Sequence, residues 1–459
     1  MKPGKAGFDS ERSRGIGGKT MLWNAVALRM SQRDFKGRQH DGEGEDWPIN
    51  YSDIAPYYDR IEREVGVCGN LDHLEDLPDG VFLPPVPLKC TDKMIQAGGR
   101  TLDVPVIHVR KATLSRPTAT RPSCHFCGNC MAGCDVAAKY NSADVQMYPA
   151  VKAGKPLTLQ SNSVVYELAV TDEAKVSEVR YIDRETGKQG AAKGRVVVVA
   201  CACVQSAALL MMSKSSRFPD GLANSSGHLG RDFIPHITCG VEAFMEPSIG
   251  TPAINDEGFL DHAYIPSFMH GRKRDYPRSF GVQFNYQNRR SVGWARSFPG
   301  MGKSYKDAIR AHYPAYLTFT AYTEMLPNAL SYIDLDPFLK DEYGIPLARR
   351  HWVLSDLDWK RYNDMKDWSQ RILRASNAKI HSVSDAPATN HEIGGCRMGA
   401  DPQTSVVDAT CRAHDVKNLY LADASLFPNA SEKNPTLTIM ALGLRTAETI
   451  ADRLKKGEV

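Results

Sequence analysis

The sequence predicts an α/β protein with a second domain built on an antiparallel sheet. Val196–Ala200 is a continuous β-branched run, the mark of a strand buried on both faces in a parallel sheet, and Ser206–Ser213 follows it as a helix. Residues 240–350 differ. They are rich in aromatics, Pro and Gly, and alternating runs at Tyr316–Tyr322 and Leu330–Leu335 fit antiparallel strands.

Taken in order, residues 11–30 form a Gly-rich turn and an apolar segment, and residues 46–66 a turn and an amphipathic helix starting near Ser52. A strand is expected over Pro156–Leu168, then a hairpin-like stretch reaching Thr186 and Gly187. Trp359–Ala378 reads as a long amphipathic helix and Leu419–Ala422 as a short strand. In the last helix, Pro435–Lys455, Asn434 is the expected N-cap, Pro435 suits the first helical position, and Leu437, Met440, Ala441, Leu444 and Ala447 recur at helical spacing.

A net charge of +4 spread over 459 residues gives no electrostatic case for nucleic acid. No run of 18 apolar residues exists, so no membrane span is expected. Residues 1–18 have no apolar h-region, and cytoplasmic and periplasmic locations both stay open. The eleven cysteines cannot all pair within one chain, and four of them fall within eleven residues, which marks a local site rather than a disulfide framework.

Three C-terminal elements carry chemistry. His391 precedes the Gly394-Gly395 turn, Asp423 ends the strand at Leu419–Ala422, where ligands of open α/β sheets bind, and Asn434 opens a helix whose N–H groups favour negative charge. In order they read H-E-I-G-G-C-R-M-G-A-D-P, S-V-V-D, N-L-Y-L-A-D-A-S-L-F-P and N-P-T-L-T-I-M-A-L. This series resembles the C-terminal signature of the glucose-methanol-choline (GMC) flavoprotein oxidoreductases. The resemblance implies that His391 takes the hydroxyl proton while hydride leaves for flavin N5, and that Asn434 hydrogen-bonds the same substrate oxygen. An imidazole, with an unperturbed pKa of about 6.5, suits that proton transfer.

The resemblance extends upstream. Ser13–Trp23 is similar to the family's flavin loop, and DWPINYSDIAPYY (46–58) to a segment of its sugar-oxidising branch. VVVACACVQSAALLMMS (197–213) and NSSGHLGRDFIPH (224–236) are similar to segments beside the cofactor. It implies FAD contacts from Gly17, Gly18, Trp23, Asn24, Val165, Ala202, Asp423, Ala424, Pro435 and Thr436. Some members bond FAD covalently through a His near the position of Leu22; Leu22 cannot, so noncovalent FAD is expected. The family's Ala-Gly step is replaced by Cys201-Ala202-Cys203, whose extra methyl is expected to crowd the cofactor. The family's opening strand–GxGxxG–helix does not precede Gly15, so a truncated chain, or a first βαβ unit supplied from elsewhere, is expected. The domain reading is an FAD-binding (Rossmann-like) domain, incomplete at its N-terminus, over 1–235 with a Cys-rich insert at 121–150. A substrate domain follows over 236–385, and the chain returns to the FAD-binding domain over 386–459.

Cys124-x2-Cys127-x2-Cys130-x3-Cys134 has the spacing of bacterial iron–sulfur ligands, with Asp135 where Pro usually follows. Zinc, or a Cys-rich turn held by packing, fits the same residues. The segment as a whole resembles the sugar-dehydrogenase branch, some of whose members carry such a cluster in a multi-subunit assembly. The expected function is dehydrogenation of a sugar, glycoside or sugar acid, with an electron acceptor or a small or cytochrome subunit as partner. The alternatives are an oxidase that makes peroxide, and a non-catalytic or truncated remnant of the fold or a partner-binding subunit. Gln283, Asn285, Tyr322 and Glu324 either line a sugar pocket or are ordinary strand residues.

Overall fold

Sheets of two kinds organise the chain, of which the computed structural model describes residues 13–252, 261–285 and 293–459. Strand β1 (Ile107–His108) belongs to a large antiparallel sheet, while β2 (Ser163–Val170), β3 (Val176–Asp183) and β4 (Gln189–Ala192) form a separate meander. Strand β5 (Val197–Val199) stands apart from both. The large sheet continues with β6 (His236–Met245), β7 (Ala263–Ile265), β8 (Phe280–Asn285) and β9 (Tyr316–Thr323). After the hairpin β10 (Tyr332–Lys340) and β11 (Pro346–His351) come β12 (Ala378–Val383), β13 (Ala388–Asn390) and β14 (Leu419–Leu421). The large sheet runs β1-β7-β8-β9-β6-β12, with β13 also pairing β6. Strands β5 and β14 pair in parallel, Val197 opposite Leu419.

Helix α1 (Tyr51–Val65) starts at a capping box of Asn50 and Asp53 and buries Ile54, Tyr58, Ile61 and Val65 along one face. It is followed by α2 (Cys90–Thr101), α3 (Cys203–Met212), α4 (Gly302–His312), α5 (Asp356–Ala375) and α6 (Thr436–Lys455). Tyr58 joins α1 to α6 through a 2.7 Å hydrogen bond with Thr438. Among the described residues two large apolar cores result, with three smaller clusters beside them. One gathers Ala25–Val67, Val199–Ile234 and Ile393–Leu442; the other packs α2 and α5 against the large sheet.

Several elements depart from the sequence reading. The strand expected from Pro156 begins at Ser163, and the helix expected from Trp359 begins earlier, at Asp356, because Ser355 accepts from Asp358 N–H as its cap. Parallel pairing of the Val-rich strand holds, but burial on both faces does not. Val199 is 3% exposed and Val198 45%, because no described element covers the face that Val198 presents. The segment at Leu330–Leu335 is a strand only from Tyr332, and it pairs with β11 in its own hairpin rather than joining the large sheet.

Candidate active site

The turn after β13 sets the geometry. His391 has φ +50°, and Gly394 and Gly395 follow at +86° and +98°. A side chain at Gly394 would collide with the carbonyl of Asp232, so the chain can pass there only as glycine. Gly394 N–H donates to Ala424 O at 3.0 Å, Cys396 N–H to Ser425 O at 2.9 Å, and Ile234 N–H to Ile393 O at 2.9 Å. The predicted segments around His391, Asp423 and Phe233 are thus laced together by backbone bonds.

The imidazole lies in a directed series of hydrogen bonds. Gln283 Nε2 donates to Asn434 Oδ1 at 2.6 Å, and Asn434 Nδ2 donates to His391 Nε2 at 3.3 Å. His391 Nε2 therefore accepts, so the ring proton sits on Nδ1, which faces His236 Nδ1 at 2.9 Å. Tyr322 stacks on the His391 ring at 5.5 Å and 26°. Gln283 and Tyr322 come from neighbouring strands of the large sheet, β8 and β9; the side chain of Asn285 lies outside the described residues. His236 opens β6 and ends the segment 224–236, in which the sequence gives it no assignable role. Its only signal was a histidine at the end of an apolar run.

Both rings are held neutral. Burial pushes His236 down to about 4, and the carbonyls of Ser431 and Ala430 act weakly in the opposite sense. Desolvation first, then His236 and Lys19, hold His391 well below its ordinary value. Lys19 belongs to the Gly-rich loop and ion-pairs with Glu392 at 3.7 Å, which brings that loop beside the imidazole.

The remaining predicted contacts fall into three groups. Asp423 is buried at the end of β14 and accepts from Ser206 Oγ and from Ser425 N–H; desolvation raises its pKa from the ordinary value, against the pull of these bonds. It adjoins Ala424 and the start of α3, where Ala202 caps the helix at φ +68°, ψ 153° with no side-chain cap bond. Helix α6 likewise starts without a side-chain cap, Pro435 taking the cap position and Thr436 the first helical one. Asn434 is thus not the cap, because its amide is engaged by Gln283 and His391 instead. In the Gly-rich loop, Gly17 and Gly18 have positive φ and Trp23 Nε1 donates to Tyr140 O at 2.8 Å, whereas the Asn24 side chain turns inward to Asp261 and Lys111. Val165 pairs with Tyr181 in the β2–β3 meander. Two uncapped helix starts flanking a buried carboxylate at the end of parallel strands fit a dinucleotide cofactor, whose phosphates seek N–H donors.

The four cysteines line one small cavity with Thr113 and Lys139. Cys124 Sγ accepts from Phe126 N–H at 3.3 Å and Cys134 Sγ from Lys139 N–H at 3.4 Å. Buried Lys139 binds the carbonyls of Met21, Trp23 and Cys130, at 3.0, 3.2 and 2.5 Å, and desolvation lowers it to about 8. One ammonium thus ties the cysteine segment to the Gly-rich loop.

Parallel strands ending at a buried carboxylate, a large antiparallel sheet and a buried histidine between them fit a flavin-dependent oxidoreductase. Residues 9–238 and 327–443 match the two GMC oxidoreductase family models, N- and C-terminal respectively. The chain belongs to the GMC oxidoreductase family, whose members bind FAD and oxidise CH–OH groups. It is 29% identical to the fructose dehydrogenase large subunit of Gluconobacter japonicus, over 99% of this chain and 84% of that protein. It is 30% identical to the 2-methyl-1,2-propanediol dehydrogenase of Mycolicibacterium austroafricanum, over 95% of this chain and 81% of the relative. Among solved structures, pyridoxine 4-oxidase from Mesorbium loti superposes with a TM-score of 0.65 at 17% identity, covering 95% of this chain and 84% of that one. Among the described residues no helix is long and apolar enough to cross a membrane.

Proposed function

We propose that the chain dehydrogenates a carbinol of a sugar, glycoside or sugar acid, with His391 as the base and Asn434 holding the same oxygen. The observation that carries this reading is the donor series Gln283, Asn434, His391, His236. The lone pair of His391 Nε2, which accepts from the Asn434 amide here, would turn to the substrate hydroxyl on binding, and the released Asn434 N–H would donate to the same oxygen. Breaking the substrate O–H bond delivers its proton to Nε2. His236, neutral and accepting at Nδ1, then stabilises the imidazolium through the shared hydrogen bond. Bound FAD supplies the acceptor for the hydride that leaves the carbinol carbon. Tyr322 holds the ring plane by stacking, and Gln283 fixes the orientation of the Asn434 amide.

Gly17, Gly18, Trp23, Asn24, Val165, Ala202, Asp423, Ala424, Pro435 and Thr436 would hold FAD noncovalently, with Asn24 left only its backbone to offer. A substrate domain over 236–385 between the parts of an FAD domain at 1–235 and 386–459 remains a proposal; two separate cores support a division in two, while Ile95, Val104 and Val106 pack in the core of the large sheet and Ile333 in the other. Cys124, Cys127, Cys130 and Cys134 are proposed to hold an iron–sulfur cluster, supported by their spacing and by the N–H groups of Phe126 and Lys139 on two of the sulfurs. A small or cytochrome subunit would then take the electrons, as the words "large subunit" in the name of the fructose dehydrogenase relative encourage.

The test is oxidation of D-fructose, a methyl glucoside, D-gluconate and 2-methyl-1,2-propanediol with a dye acceptor, peroxide being measured in parallel. His391→Ala is expected to lower kcat/KM by about 10²–10⁴ with unchanged flavin content; undiminished turnover would overturn the assignment. Iron and acid-labile sulfide, assayed in anaerobically purified protein and in Cys130→Ser, decide the cluster.

A further inference from the structure

We propose that Glu324 is a positioning residue for Asn434, acting through the backbone of the loop that carries it; this rests on reading His391 and Asn434 as the reacting pair. The loop 428–433 is buried throughout, and a buried loop must find partners for its N–H groups. Glu324, 2% exposed, receives the N–H groups of both Ala430 and Ser431 on Oε2, each at 3.1 Å. Its other oxygen, Oε1, receives Arg278 Nε at 2.7 Å. Arg278 is in turn ion-paired with Asp41 and donates to Glu43 O at 2.8 Å. The carbonyl of Glu324 accepts from Arg361 at 2.6 Å, so the carboxylate is fixed at both ends.

The two held amides sit where the loop is most constrained. Ser431 has φ +55°, a left-handed conformation that a non-glycine keeps only when its surroundings enforce it. Beyond it, Lys433 N–H donates to Ser431 Oγ at 3.1 Å, and Lys433 Nζ pairs with Asp34 and Glu432, each at 2.9 Å. The next residue is Asn434, with its amide on His391 Nε2. Tyr322, stacked on the His391 ring, lies two residues before Glu324 on the same run of backbone. One strand end therefore places both the plane of the base and the loop of its partner amide. A carboxylate is the suitable anchor because charge-assisted bonds to backbone N–H groups are shorter and stronger than neutral ones.

Glu324→Gln keeps the size and removes the charge. In hydrogen–deuterium exchange on the 459-residue chain, peptides covering 428–434 are expected to exchange about tenfold faster, while those of β6 and β9 do not change. With whichever of the four alcohols above is oxidised, kcat/KM is expected to fall about tenfold, mostly in kcat, and by less than about twofold when Asn434 is already Ala. Unchanged exchange at 428–434, faster exchange across both cores, or independent effects of Glu324→Gln and Asn434→Ala would each overturn the proposal. If Asn434→Ala alone leaves kcat/KM intact, the reading of the reacting pair falls and takes this proposal with it, an outcome distinct from the others. Should Glu324→Gln not fold, Glu324→Asp, which keeps the charge for Arg278 but withdraws the oxygen from the two amides, is judged by the same outcomes.

Discussion

His236 and His391 meet through their Nδ1 atoms at 2.9 Å, with the ring planes 87° apart. Two facing ring nitrogens share one proton, and the donation from Asn434 to the far side of His391 assigns that proton to His391. His236→Leu removes the acceptor and frees the other tautomer, in which Nε2 carries the proton and cannot act as a base. A loss of about 10²-fold in the rate of flavin reduction is expected, within the range for general-base catalysis, read by anaerobic stopped flow with flavin content as control. A variant as fast as the parent would leave His236 as packing alone.

The pH profile follows from the lowered affinity of His391 for protons. The proposed base works when neutral, and its folded-state pKa lies well below the ordinary value of 6.5. On the acid side kcat/KM is expected to stay flat through pH 6.5 and to fall only at more acidic pH. An inflection at or above 6.5 would mean that the imidazole is not desolvated as the structure has it.

Stability should carry the same signature through His236. Its pKa is depressed from 6.5 to about 4, so between these values the unfolded chain binds more protons than the folded one. The contribution is complete above pH 6.5 and is lost as pH falls from there to about 4, a change on the order of 3 kcal/mol. Denaturation midpoints across that window, compared with those of His236→Leu, measure it; identical slopes in the two proteins would refute it.

Ala202 stands at φ +68°, ψ 153°, a region used almost only by glycine. Ala202→Gly is expected to stabilise the chain by about 1 kcal/mol, strain relief outweighing the added chain entropy. Urea unfolding of the two proteins decides the sign.

Lys139→Met leaves the carbonyls of Met21, Trp23 and Cys130 without their shared ammonium. A cost of about 3 kcal/mol is expected for unsatisfied buried acceptors, with early proteolysis near Gly15–Trp23. Cleavage kinetics equal to the parent's would show that the loop is held by other contacts.

How far the sequence reveals the site depends on where each residue's partners come from. His391, Asp423 and Asn434 were legible as an ordered series at a Gly-Gly turn, a strand end and a helix start that resembles the family's C-terminal signature; no single one of the three features would have sufficed. His236 had no assignable role, and Gln283 and Tyr322 could not be told from ordinary strand residues. They reach the imidazole from β6, β8 and β9, and only sheet pairing brings those strands together. For Glu324 the sequence leaves a pocket wall and an ordinary strand residue equally open, whereas it serves backbone amides more than a hundred positions away. The shift of the α6 cap has the same origin: Asn434 has the right side chain for a cap, but tertiary partners claim it. Val198 shows the converse, since a β-branched run reports strand formation and not which faces will be covered.

The interval between Tyr322 and Glu324 is itself a structural element. Tyr322 is the last residue but one of β9 and Glu324 follows directly on its end, so an insertion or deletion of one residue there would displace one of them relative to the other. Either the base would lose its stacking ring or the loop of Asn434 its anchor, with no residue of the site substituted. Length at this point of the chain is thus as exacting a requirement as residue identity, and one that a comparison of substitutions alone would overlook.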